Sequence, residues 1–279
     1  MMSCPPLNRN YLSEDFCLLI TGCINPTSNQ KYLILTDPEE RLRQYVDSIL
    51  YYFEASPFSK IVFCENSNYK TDKRSELLSI AQRYNIRFEW ISFEGDKNLV
   101  EKYQKGAGED EIIDHALADS KILKDTKSFV KVTGRLKLLN IGKLLKDVSL
   151  GKNYFLRDVY RPHMHGVDTR FYVCDISYYN SKLRNCYKCG KVNKLVLEDL
   201  YYMILNGDYC VLNSFFRIEG VSGGNGRDYS KEPYILLKFF DVLCYLKIFN
   251  KFFIFAYGAQ LLRRGYLKMI SYSYCQKSC

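Results

Sequence analysis

Short apolar runs that stop at polar or glycine-containing punctuation, separated by segments of helical period, constrain this chain more than any single motif. Phe16 to Ile20 is followed by Thr21-Gly22 and then by Asn25-Pro26, which breaks the backbone. Lys60 to Cys64 runs into Glu65-Asn66-Ser67, Arg87 to Phe93 makes a third run, and Ser128 to Val132 stops at Thr133-Gly134-Arg135. After the first run, Asp37-Pro38-Glu39-Glu40-Arg41 reads as a helix start, with Asp as cap, Pro at the first position and acids in the first turn. Leu42, Tyr45, Val46, Ile49, Leu50 and Phe53 continue at helical spacing, and Glu76 to Tyr84 predicts another helix. Alternation of this kind predicts an α/β fold, a single Rossmann-type domain whose mostly parallel central sheet is flanked by helices on both faces. Ligands of such sheets bind beyond the carboxyl ends of the strands. The three polar strand ends therefore outline one crevice.

The stretch from Lys105 to Arg135 carries most of the candidate chemistry. Gly106 and Gly108 are expected to form a turn that opens onto an acidic helix start, Glu109-Asp110-Glu111, and the helix leads into the strand from Ser128. Glycine turns at both ends of a helix-strand unit let backbone N–H groups approach a ligand closely. Lys105, Lys131 and Arg135 add positive charge at the same edge, which suits a phosphorylated ligand. The alternative is plain: a turn, acids complementing a helix dipole, and solvated lysines.

The second half changes character. Val167 to Cys174 reads as a strand with charged residues at its entry, Tyr178 to Lys191 as a polar basic loop, Leu195 to Leu205 as a helix, and Tyr209 to Ile218 as a strand. The tract from Gly220 to Gly226 is either a flexible connector or a loop over a ligand. From Tyr234 onward aromatic and aliphatic residues are punctuated by Lys238, Lys247, Lys251, Arg263, Arg264 and Lys268, predicting a helical, basic, amphipathic tail. Such a tail either packs on the domain or lies on an anionic membrane surface. The expected division is a catalytic domain over 1–230 and this extension over 231–279.

A chain of 279 residues with 47% hydrophobic and 25% charged content is globular rather than disordered. Its net charge of +9 favours anionic partners without choosing among them. No apolar run reaches the roughly 20 residues that span a bilayer. The opening residues, MMSCPPLNRNYLSEDF, lack a basic region followed by a long apolar run, so a cytoplasmic protein with reduced thiols is expected despite 11 cysteines. Cys186 and Cys189 have metal-knuckle spacing, but a structural zinc would need two further ligands brought in by tertiary folding, such as Cys174, Cys210 or His165.

The order of motifs is more specific than any one of them. The strand ending in Thr21-Gly22-Cys-Ile-Asn25-Pro26, Asp37-Pro38-Glu39-Glu40-Arg41 with Tyr45 one turn on, Ile61 to Ser67, Lys105-Gly-Ala-Gly-Glu109, Phe129 to Arg135 and Asp168-Thr-Arg170-Phe resemble bacterial glycosyltransferases of capsule and O-antigen polysaccharide clusters, over roughly residues 15 to 230. The resemblance implies a GT-A (nucleotide-diphospho-sugar transferase) fold and transfer of a sugar from a nucleotide-sugar, with UDP as the expected nucleotide, to a saccharide or lipid-linked acceptor. It also implies contact with the cytoplasmic face of the inner membrane. Thr21 and Glu65 would lie near base or ribose and Arg41, Lys105 and Arg135 near the diphosphate, with Gly22, Asn25, Asn66, Gly106, Gly108, Glu109, Lys131, Thr133, Gly134 and Arg170 also among the residues that bind the nucleotide-sugar.

Transferases of this fold commonly hold Mn2+ or Mg2+ with an acid-x-acid motif after the fourth strand. This chain has Thr133-Gly134-Arg135 there. Either Asp168 supplies the metal ligand, or fixed cations stabilise the leaving diphosphate without an obligatory metal. Inversion needs a general base. Asp199 and Glu198, at the start of the Leu195–Leu205 helix, resemble the family's acidic pair, with Asp168 behind them. The same two acids also suit a helix's first turn. His163 and His165 could face acceptor or pyrophosphate. Two other classes stay open: a nucleotidyltransferase on a similar sheet, separated by release of pyrophosphate rather than nucleoside diphosphate, and a basic nucleic-acid-binding protein. Against the latter, the cations are spread along the whole chain and no recognised motif is present.

Overall fold

The computed structural model describes residues 12–26, 33–103, 105–159, 166–188, 196–223 and 226–250. Four parallel strands, β1 (Phe16–Gly22), β2 (Lys60–Glu65), β3 (Arg87–Ser92) and β4 (Ser128–Thr133), form the sheet. β6 (Phe171–Asp175), antiparallel to β4, completes the sheet at its edge, and the short β5 (Lys137–Leu138) lies outside it. The sheet order is β3-β2-β1-β4-β6. A separate ribbon pairs β5 with β7 (Ile218–Glu219). The expected α/β architecture, a mostly parallel sheet between helices, is what the chain adopts.

Alternation along each strand assigns the two faces. Leu18, Ile20, Ile61, Phe63, Val130 and Val132 share one cluster with Leu42, Tyr45, Ile49, Tyr52 and Phe53 of helix α1 (Pro38–Ala55) and Leu77 and Ala81 of α2 (Lys73–Arg83). Cys17, Leu19, Val62, Cys64 and Phe129 point the other way. They meet Ile112, Ile113 and Ala116 of α4 (Lys105–Asp119), which follows the short α3 (Lys97–Tyr103), and then α5 (Lys121–Lys124). Because strands are buried on both faces, their side chains read as continuous apolar runs. The start of α1 forms as expected: the Asp37 carboxylate accepts from the Glu39 N–H at 3.2 Å and the Glu40 N–H at 3.4 Å, with Pro38 following.

The second half departs from the sequence reading in two places. Residues 209–217 do not form a strand; only Ile218–Glu219 are extended and paired, with Cys210 in an isolated bridge to Tyr154. The apolar residues there, Leu212, Phe215 and Phe216, are buried as packing under a further helix, so their hydrophobicity reflects burial without a ladder. Residues expected as a loop from Tyr178 instead continue α7 (Ile176–Tyr178) through a π-turn, Tyr179–Leu183. After α6 (Ile141–Leu145), the larger helices of this half are α8 (Leu197–Leu205) and α9 (Tyr234–Tyr245). Cys189, the two loop histidines and residues 251–279 lie outside the described residues. Among the described residues no helix is long and apolar enough to cross a membrane.

Glycines at the ends of β1 and β4 let neighbouring groups approach closely. A Cβ at Gly134 would stand 2.7 Å from the Thr21 carbonyl oxygen and 2.8 Å from the Tyr45 ring; one at Gly22 would meet the Phe63 ring at 2.6 Å. Both glycines make room for aromatic packing. Gly134→Ala is therefore expected to lower unfolding stability by about 1–3 kcal/mol, since backbone rather than a flexible side chain must give way. Urea titration of the variant against wild type checks this, and an unchanged midpoint would mean that the strand ends can part at no cost.

Candidate functional site

In the order β3-β2-β1-β4, successive strands are added on one side of β1 and then on the other, so the order reverses between β1 and β4. Open α/β sheets bind ligands at that switch point, beyond the carboxyl ends. Register brings Gly22, Glu65 and Ser92 into one row and sets Thr21 beside Thr133. The predicted crevice residues at the ends of β1, β2 and β4 thus share an edge.

Several of them hold the edge together. Glu65 is fully buried; its carboxylate accepts from the Ser67 N–H at 2.8 Å, the Ser67 hydroxyl at 2.5 Å, the Tyr69 N–H at 3.1 Å and the Ser92 hydroxyl. Both oxygens are taken, so Glu65 shapes the β2 loop instead of reaching for a ribose. Arg41 is buried and donates to the carbonyls of Cys23, Ile24 and Leu35, bracing the loop after β1 rather than facing a diphosphate. The Gly134 N–H donates to the Thr21 carbonyl at 2.9 Å, and the Gly22 carbonyl accepts from the Asn66 N–H at 3.2 Å. Those glycines therefore serve strand packing. The Thr21 hydroxyl turns to the Val132 carbonyl at 3.4 Å, the Asn25 N–H to the Ser67 hydroxyl at 3.0 Å, and the side chain of Asn25 is exposed.

On the other side of the switch point, Lys131 is a fully buried cation on a central strand. Its ammonium pairs with Glu109 and donates to the Thr133 hydroxyl at 3.2 Å and the Thr169 carbonyl at 2.6 Å. Three partners leave it no donor for a phosphate. Nor do Gly106 and Gly108 form a turn: α4 already begins at Lys105, and both glycines lie in its first turn. A Cβ at Gly106 would come within 2.7 Å of Leu197 Cβ, so the absent side chain lets α4 and α8 touch.

The acids after those glycines have separate tertiary partners. Glu109 holds Lys131, and Glu111 accepts from the Asp96 N–H at 3.0 Å. Asp110 is fully buried and accepts from the Tyr179 hydroxyl at 2.6 Å, the Tyr201 hydroxyl at 3.1 Å and the Asn185 N–H at 2.9 Å. Burial pushes its carboxyl up to about 7, against the pull of the two tyrosine hydroxyls and the Asn185 N–H. Nothing in the spacing of Tyr179 and Tyr201 announces this cluster, which forms only when the π-turn and α8 pack on α4.

Asp168 and Arg170 stand where β6 enters the sheet, next to the end of β4: the Thr133 N–H donates to the Arg170 carbonyl at 3.0 Å. Arg170 grips the Asp168 carboxylate through Nε at 2.9 Å and through Nη2, and its guanidinium lies 4.5 Å from the centre of the Tyr229 ring. That side-on grip occupies the oxygens a metal would need, and among the described residues no three His, Cys, Asp or Glu side chains gather to hold one. The donor set does not fit a Mn2+ or Mg2+ site. Asp199 is 3% exposed, and its Oδ2 accepts from the Val196 N–H at 3.4 Å, capping its own helix. Glu198 is half-buried, and its carbonyl accepts from the Val167 N–H at 3.1 Å, which ties the start of α8 to the segment leading to Asp168. Cys186 is buried in the core on this face.

Arg135 differs from the other cations of the edge. It follows β4 directly at the switch point, with one hydrogen bond, Nη1 to the Gln44 side-chain oxygen at 3.1 Å, and the Tyr45 ring centre 6.0 Å away. Its Nε is buried without a partner, and among the described residues no carboxylate pairs with it. The glycine tract comes close to it: a Cβ at Gly223 would stand 2.1 Å from Nη2. Gln44, which sequence reasoning did not single out, and Gly223, from the tract read as either a connector or a loop over a ligand, are the neighbours of Arg135 here.

No protein-family model matches the chain, and no curated protein sequence matches it. Among solved structures, the chain is similar to the glycosyltransferase GlyE of Streptococcus pneumoniae TIGR4, with a TM-score of 0.45 and 11% identity over 69% of this chain. It spans only 44% of that protein. A Bacillus anthracis protein described as a glucose-1-phosphate thymidylyltransferase aligns at TM-score 0.44 and 13% identity over 83% of this chain and 95% of its own. Mouse xyloside xylosyltransferase 1 aligns at 0.34 and 12% over 69% of this chain and 80% of its own.

The Asp110 cluster makes a signed prediction. In the unfolded chain this carboxyl ionises in the ordinary range, whereas in the fold it keeps its proton up to about pH 7. Its contribution to stability is thus lost as pH rises from about 4 to about 7, by no more than about 4 kcal/mol. Asp110→Asn removes that slope: its melting temperature should gain on wild type across the window. A difference between the two that stays constant with pH would mean that Asp110 is ionised in the fold.

Proposed function

We propose that this chain is a glycosyltransferase that binds a nucleotide-diphospho-sugar across the carboxyl ends of β1, β2 and β4 and passes the sugar to a saccharide acceptor. The observation that carries the reading is Arg135: a guanidinium at the switch point with, among the described residues, a single neutral hydrogen-bond partner and no carboxylate. Burying part of a cation in this state is costly unless an anion completes it. A diphosphate offers paired oxygens that match the guanidinium fork.

In this reading Arg135 stabilises charge as it develops on the departing nucleoside diphosphate, which favours the transition state over the ground state. Glu198 takes the proton of the acceptor hydroxyl. Asp168 is committed to Arg170, and Asp199 caps the helix that carries Glu198, so both act by holding the acceptor side in shape. The ordered motifs of the sequence support a UDP-sugar donor and a role in capsule or O-antigen synthesis, with inversion at the anomeric carbon and an acceptor carried on a lipid.

The test is a thermal-shift panel of UDP, GDP, CMP and their sugar conjugates, with and without Mn2+, followed by product analysis. Wild type should be stabilised by one nucleotide class, and Arg135→Ala should weaken that binding by roughly tenfold or more. Glu198→Gln should bind normally and turn over at least about a hundredfold more slowly. Unchanged nucleotide binding by Arg135→Ala overturns the diphosphate role. Release of pyrophosphate instead of a nucleoside diphosphate replaces the reading with nucleotidyl transfer.

A further inference from the structure

Helix α9 is two-sided in an unusual way. Phe240, Leu243 and Cys244 are buried against the Phe215 and Phe249 rings, and Asp241 is held from the core side by Arg217, by the Ser214 hydroxyl at 2.6 Å and by the Phe215 N–H at 2.9 Å. The opposite side is apolar as well. Tyr234, Ile235, Phe239, Val242, Tyr245 and Leu246 recur at helical spacing and are 69%, 81%, 50%, 54%, 75% and 54% exposed. Large apolar surfaces of this extent on a soluble chain mark a contact with something else.

The exposed charges of α9 itself have one sign. Lys238 is exposed on the helix and Lys247 at its end, where its ammonium donates to the Val211 carbonyl at 2.8 Å; Lys231 just before the helix pairs with Asp228 at 3.3 Å, and Lys143 beside it lies 3.7 Å from Asp241. The single acid of the helix, Asp241, faces inward and is paired. After Asp241 the sequence contains no Asp or Glu, while Lys247, Lys251, Arg263, Arg264, Lys268 and Lys277 follow. A pocket of about 290 Å3 at the helix's first turn has Leu139, Phe216, Tyr234 and Leu237 in its wall together with the acids Glu219 and Glu232.

We propose that the exposed face of α9 is a membrane-binding surface that lies in the headgroup region of an anionic phospholipid bilayer. An aromatic and aliphatic stripe with Lys238 among its rings and no exposed acid on the helix itself matches the interfacial plane, where rings sit at headgroup depth and lysines reach anionic phosphates. The helix has only 12 residues, so it lies on the bilayer rather than spanning it. The acid-free sequence that continues from Asn250 adds attraction of the same sign at the same end of the chain. This surface is independent of the proposed reaction.

The experiment is co-sedimentation of the full chain with vesicles of phosphatidylcholine alone and of phosphatidylcholine mixed with phosphatidylglycerol, across a range of salt. The chain should bind the mixed vesicles, bind neutral ones at least roughly tenfold more weakly, and lose affinity as salt rises. The double variant Phe239→Glu, Val242→Glu should lose binding by roughly tenfold or more. Both positions are half-exposed or more, so its melting curve should match wild type, and Lys238→Glu offers a milder version of the same loss. Absence of binding by wild type overturns the proposal. So does full binding by the double variant, which would assign the attraction to residues 251–279, and so does a change of oligomeric mass in the double variant, which would mean that a second copy covers the face.

Discussion

A buried lysine on a central strand fixes much of this molecule. Lys131 brings a positive charge into the middle of the sheet, and an uncompensated charge there would cost several kcal/mol. Glu109 compensates it from α4, and the Thr169 carbonyl compensates it from the segment that enters β6. Those two contacts locate a helix and a loop from distant parts of the sequence against the same strand end. The first turn of α4 then meets the start of α8, because Gly106 has no side chain to keep Leu197 away. The carboxyl edge of the sheet is thus built around a charge with three partners from the protein itself.

Arg135 is the counterpart of Lys131. Four residues apart on the same stretch, one cation is satisfied by the protein and the other has Gln44 as its single hydrogen-bond partner. The difference follows from position. Lys131 sits within the strand, where burial forces pairing, while Arg135 lies beyond its end, where the chain turns and Tyr45, Gln44 and Gly223 make a shallow seat for a planar guanidinium. A site that binds an anion needs such an unneutralised cation held in place by neutral neighbours. Asp168 illustrates the opposite outcome, since Arg170 closes on it and, among the described residues, no acid-rich centre forms at this edge.

The strands and first helices were legible because burial on both faces turns each parallel strand into an apolar run, and the Asp37-Pro38 cap and the polar strand ends mark where runs stop. Residue type also marked the edge that Thr21, Glu65, Thr133 and Arg135 share. It did not say what each residue does there. Glu65 and Arg41 carry charges that suit a nucleotide, yet in the fold they satisfy loop N–H and carbonyl groups. The strand expected near residue 215 failed for a related reason: apolar density there reports packing against α9, not ladder pairing.

The sequence by itself determined the layered sheet, its crevice edge and the basic, acid-free character of the last part of the chain, because hydrophobic period, capping residues and net charge are local properties. Only the tertiary structure decided which charges cancel one another. Asp110 with its two tyrosines, Lys131 with Glu109, Asp168 with Arg170, and the outward stripe of α9 all depend on which residues meet across large separations in the chain. A charge or an apolar ring has no fixed role until its neighbour is known, since the same group is stabilised by a partner, by a ligand or by water according to what packs beside it.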